Sequence, residues 1–159
     1  HERLISRSKS AFDGSIPSGN SLATLALLRL FSLTEGQDYL DKAEQTLGLF
    51  YDDMERSPFG FSQLLGALDF YLQRPKQIVL VGDASAPETR QLLARINGLY
   101  LPNKTVVCLD PQSLADGKGP AALAGKVQVD GQLTAYVCHN FTCSPPATDW
   151  GTLKALLLD

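Results

Sequence analysis

Along the first half of the chain apolar positions recur every three or four residues, whereas the second half carries β-branched runs broken by Gly, Pro and Asp. The first pattern predicts amphipathic helices, the second buried strands. Ser18-Gly19-Asn20-Ser21, after Pro17, offers small polar oxygens to the unpaired N–H groups of a first turn, so a helix is predicted from near Ser18 to near Gly36. Leu22, Leu25, Ala26, Leu28 and Leu33 form its apolar face. Leu27, Leu30 and Phe31 widen that face beyond what one partner helix covers. A second helix is predicted from Asp38, as N-cap, to about Glu55, with the stripe Tyr39, Leu40, Ala43, Leu47, Phe50 and Met54. Ser57-Pro58 opens a third helix to about Gln73, with Leu64, Leu65, Leu68, Tyr71 and Leu72 on its buried side. Short links make these three helices antiparallel neighbours.

Gln77–Val81 is an apolar strand ending at Gly82. Ser85 and Glu88 have capping-box spacing ahead of a helix carrying Leu92, Leu93, Ile96 and Leu99. Thr105–Leu109 is a second strand, which makes a βαβ unit with parallel strands. The 24 residues from Asp110 to Leu133 are too long for a plain loop, so short helices are expected around Pro111–Ala115 and Pro120–Ala124. Thr134–Cys138 gives a third strand, and Asp149 caps a last helix through Leu158. The expected fold class is α/β. Residues 1–75 are helical, and residues 76–159 form a small three-stranded parallel sheet with flanking helices.

Charge narrows the partners. Fourteen Lys+Arg against 17 Asp+Glu leave a net charge of -3, which argues against nucleic acid and against an anionic membrane recruited by bulk charge. No run of apolar residues is long enough to span a bilayer, and the start does not read as a signal peptide. Charged residues are only 19 %, below the usual ~25 %, so the chain has more apolar surface than a free-standing domain needs. Self-association is therefore expected. Three cysteines are too few for a secreted disulfide framework, which makes a reducing cytoplasm the default.

Asp13-Gly14-Ser15-Ile16-Pro17-Ser18-Gly19-Asn20-Ser21 resembles the DGA-x-PSGNS segment of the large thioredoxin-domain proteins called spermatogenesis-associated in animals. Lys76–Gly82 and Tyr136–Cys143 are similar to two further blocks of that family, in the same order. The resemblance implies the C-terminal part of a protein several times longer. In that family a thioredoxin-like domain precedes a helical (α/α)₆ barrel similar to N-acylglucosamine 2-epimerases and six-hairpin glycosidases. By that analogy residues 1–75 are the end of such a barrel and 76–159 an appendage. The implied partners are the rest of the parent protein, its barrel and its thioredoxin-like domain, and a sugar ligand. The family's reaction is not established.

Two sets of residues are candidates for chemistry. The Asp13–Ser21 loop feeds a helix N-terminus and could bind sugar hydroxyls through Asp13, Ser18 and Asn20, with Asp69 as a further carboxylate. The plain alternative is a turn followed by a cap. Epimerases of the resembled kind rely on paired histidines, but the chain has only His1 and His139, and none in its helical core. The isolated chain is therefore expected to lack that activity. Cys138, His139 and Cys143 admit a thiol-redox or metal reading, or simply structural thiols. The spacing is not CxxC and Cys108 cannot complete a zinc set, so no cofactor or metal is expected. A Cys138–Cys143 disulfide at the strand end is conceivable, but the short loop and a cytosolic setting favour the reduced pair, so three free thiols are expected. Gly82, Asp110 and His139 are expected together past the carboxyl ends of the strands, where open α/β sheets bind ligands. No phosphate-loop signature accompanies them.

Overall fold

In the computed structural model the described residues are 9–116, 120, 123–140 and 142–159. The chain divides into two compact units, one of residues 1–31 and 36–72, the other of residues 32–35 and 73–159.

The first unit is helical. Helix α1 spans Gly19–Thr34, α2 Gln37–Leu49, α3 Tyr51–Arg56, and α4 Ser62–Gln73 after a 3₁₀ turn at Pro58–Phe61. The single helix expected from Asp38 to Glu55 is broken at Phe50, whose φ of -106° and ψ of 11° leave the helical region. Phe50 turns its ring toward Phe61, with centroids 6.5 Å apart, so core packing overrides a run weakened by Gly48. Asp38 is not the N-cap. Gly36 holds that position without a side-chain bond, and Asp38 lies in the first turn, where its charge still complements the helix dipole. Two apolar clusters fill the unit. Ala11, Leu47, Met54, Phe61 and Leu64 make one, and Leu28, Ala43, Ala67 and Phe70 the other.

The second unit is built on strand β1, Lys76–Val81, whose last four residues are buried. Helix α5 (Pro87–Asn97) connects it to β2 (Lys104–Leu109), which pairs with it in parallel, Ile78 opposite Val106 and Leu80 opposite Cys108. The expected capping box does not form. Ala86 is the N-cap with Pro87 at the first helical position, and the Ser85 hydroxyl donates instead to Asp83 Oδ1 at 2.7 Å. Helix α6 forms at Pro111–Ala115, while of the helix expected near Pro120–Ala124 residues 121 and 122 lie outside the described residues and the Leu123 amide donates to the Pro120 carbonyl at 2.9 Å.

The third strand departs from expectation. β3 (Thr134–His139) pairs antiparallel to β1, Val81 opposite Thr134 and Gln77 opposite Cys138, and a two-residue β4 (Thr142–Cys143) pairs with it in turn. The sheet is therefore four-stranded and mixed, in the order β2-β1-β3-β4. β3 starts level with the end of β1, so the 24-residue connection from β2 does not cross back and the strand runs the opposite way. A tight turn lies just ahead of it: Asp130 and Gly131 both have positive φ, 50° and 70°, and Gln132 donates to the Val129 carbonyl at 2.9 Å. Helix α7 (Trp150–Leu158) is capped as expected, Asp149 Oδ1 accepting from the Thr152 amide at 2.9 Å. Leu153 and Leu157 then join Ile78, Leu80, Ile96 and Val137 in the core.

Candidate functional site

The loop before α1 holds the chain's best-placed carboxylate. Asp13 is only 5 % exposed. Its Oδ1 accepts from the Ser18 amide at 2.8 Å, and its Oδ2 accepts from the amides of Gln63 at 2.9 Å and Leu64 at 3.1 Å. Those last two belong to the first turn of α4, whose amides have no partner within the helix. Ser57 makes no side-chain cap, so α4 is capped from fifty residues away. Burial pushes the Asp13 carboxyl up, but the bonds from Ser18, Ser21, Leu64 and Gln63 outweigh it and hold the carboxyl below the ordinary aspartate range.

The rest of the loop is equally committed. Ser18 Oγ accepts from the Ser21 amide at 3.1 Å and bonds the Ser21 hydroxyl at 2.8 Å. Asn20 Nδ2 donates to the carbonyls of Lys9 and Ser10 at 2.8 and 3.0 Å. The structure thus brings Asp13, Ser18 and Asn20 together and turns them inward to hold the chain. Asp69 does not join them. It is exposed on α4, roughly 8 Å along the axis from Leu64.

In the second unit the expected strand-end cluster comes apart. Gly82 and Asp110 follow β1 and β2 at one edge, but antiparallel β3 carries His139 to the opposite edge, level with Lys76. Gly82 packs against Leu133, whose Cδ1 would lie 2.7 Å from a Cβ added there and would have to swing aside. Asp110 caps α6, accepting from the amides of Gln112 and Ser113 at 2.9 and 3.0 Å. Cys108 is half-buried, with its thiol directed at the Gly82 carbonyl. Burial, then the charges of Asp83 and Asp110, raise its pKa and keep it protonated.

The three free thiols expected from the sequence are not what the fold contains. Cys138 and Cys143 face each other across β3 and β4 with α-carbons 3.9 Å apart, and they form a disulfide. Pairing of the two strands brings the sulfurs together, a contact the spacing alone left open. Both thiols are consumed, which removes them as metal ligands. Among the described residues no group of three His, Cys, Asp or Glu side chains could hold a metal ion. Alternation along β3 puts Cys138 and His139 on opposite faces, so the imidazole is not aimed at the neighbouring sulfur. His139 is exposed, its Nε2 3.5 Å from the Gln73 carbonyl.

One cleft escaped the sequence reading. A space of about 240 Å³ opens over Leu92, Leu133 and Leu153, rimmed by Glu88, Gln91, Arg95 and Trp150. The Arg95 guanidinium stands 5.7 Å from the Trp150 ring centroid. Glu88, Gln91 and Arg95 share one face of α5 at helical spacing, the signal that could have marked it. Asp149 also lines it, but bonds from the Thr152 hydroxyl and amide lower its pKa, which makes it a poor proton donor. The cleft thus offers a guanidinium beside an aromatic face, with the Glu88 carboxylate on its rim.

Comparison with known proteins agrees with the loop and strand motifs. Spermatogenesis-associated protein 20 of Homo sapiens is 37 % identical over 153 residues, 95 % of this chain. The chain is homologous to that protein. The Rattus norvegicus protein of the same name is also 37 % identical over 153 residues. A Caenorhabditis elegans protein described as uncharacterized is 28 % identical over 135 residues, 84 % of this chain. The chain spans about a fifth of the length of these relatives, 19 % of the human spermatogenesis-associated protein 20. No protein-family model and no solved structure match it. No helix among the described residues is long and apolar enough to cross a membrane.

Asp13→Ala leaves three inward-facing amides without their acceptor and is expected to destabilise the helical unit by about 3 kcal/mol, read from urea unfolding by circular dichroism. The same carboxylate sets an acid response. Its pKa is lower folded than unfolded, so the unfolded chain binds more protons as pH falls, and the stabilisation present near neutrality drains away below about pH 4. The slope of stability against pH in that window should flatten in Asp13→Asn. An unchanged slope would mean that Asp13 is not the titrating group.

Proposed function

We propose that this chain is a structural C-terminal module of a larger spermatogenesis-associated protein 20-like molecule, without catalytic chemistry of its own. In this reading residues 1–75 close a helical barrel of the (α/α)₆ type, and residues 76–159 are an α/β appendage to it. The observation that carries the reading is the fate of the Asp13–Ser21 loop. Its polar groups, the strongest candidates for ligand contact, are spent on holding α1 and α4.

The surface of the helical unit supports it. Phe12, Ile16, Leu22, Leu30, Leu49, Tyr51, Phe59 and Leu72 are all exposed there, Phe59 at 97 %. Single exposed apolar side chains are ordinary, but so many on one small unit fit faces that other helices cover in a longer chain. The natural occupant is the remainder of the parent protein, since the relatives are about five times longer than this chain. A sugar-binding role belongs in this view to the assembled barrel, with this chain contributing scaffold. The cytoplasmic expectation rested on a cysteine count too low for a secreted framework, and a bridge between two of the three cysteines counts against a reducing setting.

The purified chain should self-associate in sedimentation velocity and return to a single heterodimeric species when co-expressed with the preceding part of the parent protein. A clean monomer at high concentration would remove the argument from exposed apolar faces. The chain alone should also show no turnover of aldoses or N-acylated sugars above background, because a partial cavity cannot exclude water and no histidine pair is present. Turnover abolished by Arg95→Ala would instead locate an enzyme in the α5–α7 cleft.

A further inference from the structure

We propose that the Cys138–Cys143 bridge is a thiol–disulfide exchange site, opened by dithiols while the fold stays intact, and not a crosslink that holds the fold together. The proposal does not depend on the module's role in a larger protein. It rests on what the bridge joins and on how unequally its two sulfurs are exposed.

The strands do not need the bond. β3 is fixed by five register pairs with β1, from Val81–Thr134 to Gln77–Cys138. Ala135 and Ala147 exchange both backbone hydrogen bonds at 2.8 Å, and the Ser144 amide donates to the Val137 carbonyl at 2.9 Å. These contacts sit on both sides of β4 in the chain and persist when the sulfurs part. The bridge encloses only residues 139 to 142, so it removes little chain entropy from the unfolded state compared with a long-range crosslink. A bond that adds so little to folding is free to be broken without unfolding.

Access is asymmetric. Cys143 is exposed on the outermost strand, while Cys138 is 6 % exposed on the inner one. An incoming thiolate therefore attacks Cys143 Sγ. The S–S bond breaks, its electron pair leaves on Cys138 Sγ, and that sulfur takes a proton from water. Cys143 is then joined to the reductant as a mixed disulfide. The second thiol of the same dithiol attacks the reductant sulfur of that mixed disulfide, releasing Cys143 as a thiolate that is protonated. The dithiol becomes a disulfide, and two electrons and two protons have passed to the Cys138–Cys143 pair. Cys108 takes no part. It lies on β2, beyond β1 from Cys138, and its raised pKa keeps it a thiol.

The test uses the whole chain, oxidised and then exposed to dithiothreitol or to reduced glutathione in native buffer. Alkylation and mass spectrometry, with denaturation after quenching, should count one free thiol before reduction and three after it. Native reduction by dithiothreitol should be within about ten-fold of the rate in denaturant, with the far-ultraviolet circular dichroism unchanged. Cys138→Ser should trap glutathione on Cys143 when treated with oxidised glutathione, and Cys143→Ser should trap markedly less on Cys138. Reduction only in denaturant, loss of the sheet signal on reduction, equal trapping on the two sulfurs, or three free thiols after oxidation would each overturn the proposal.

Discussion

The Asp13 carboxylate receives amides from Ser18, Gln63 and Leu64, and so joins the entrance of α1 to the first turn of α4. Both are places where a helix cannot satisfy its own backbone donors. An anion there is matched to the helix dipole as well as to the orphaned N–H groups. The backbone closes the same junction, Asp13 donating its own amide to the Gly60 carbonyl at 2.7 Å. Ala11, two residues earlier, is thereby set among Leu47, Met54, Phe61 and Leu64. One side chain thus decides where α4 starts, where α1 starts, and which apolar residues meet between them. The same commitment shows a loop that reads as a binding segment holding two helix ends together.

The second unit depends on a different constraint, the direction of β3. Had the third strand run parallel, Gly82, Asp110 and His139 would have shared one edge, the arrangement that makes open α/β sheets good ligand sites. The connection from β2 instead stays at the edge where β1 and β2 end, and β3 starts there. What remains at the edge after β1 and β2 is occupied by packing and capping, with Gly82 against Leu133 and Asp110 on α6. What the reversal creates is at the other edge, where β3 and β4 bring two cysteines face to face.

Much of the fold was legible because local signals and burial agreed. The apolar run at Ile78–Val81, the helix carrying Leu92 and Ile96, and the Asp149 cap all follow from short stretches of sequence, and each formed where the pattern put it. Three of the misses share one cause. The break at Phe50 answers to Phe61, the cap of α4 comes from Asp13, and the disulfide needs β4 beside β3. Each is set by a residue distant in sequence or by a strand pairing that a local pattern does not encode. The α5–α7 cleft escaped for the same reason, since Trp150 and Arg95 meet only after the sheet has brought their helices together.

The two units also differ in how complete they are. The central strand of the sheet unit is covered, with Ile78, Val79, Leu80 and Val81 all at 0 % exposure between helices α5 and α7 on one side and Leu123 on the other. Of the unit's large apolar side chains, Tyr100, Val127 and Leu158 are exposed. The helical unit buries small clusters of four or five residues and leaves eight large apolar side chains in solvent. Helices of an all-α architecture are stabilised by neighbours on more than one side, and a hydrophobic face without one is a cost the fold bears until it is covered. Conversely, a strand at a sheet edge invites unwanted pairing unless it is short or blocked. β4 is two residues long and is followed at once by Ser144-Pro145-Pro146, whose prolines cannot donate to another strand. The β4 edge is thereby closed against further strands, while β2 forms the other edge of the sheet and the helical unit keeps its exposed apolar side chains.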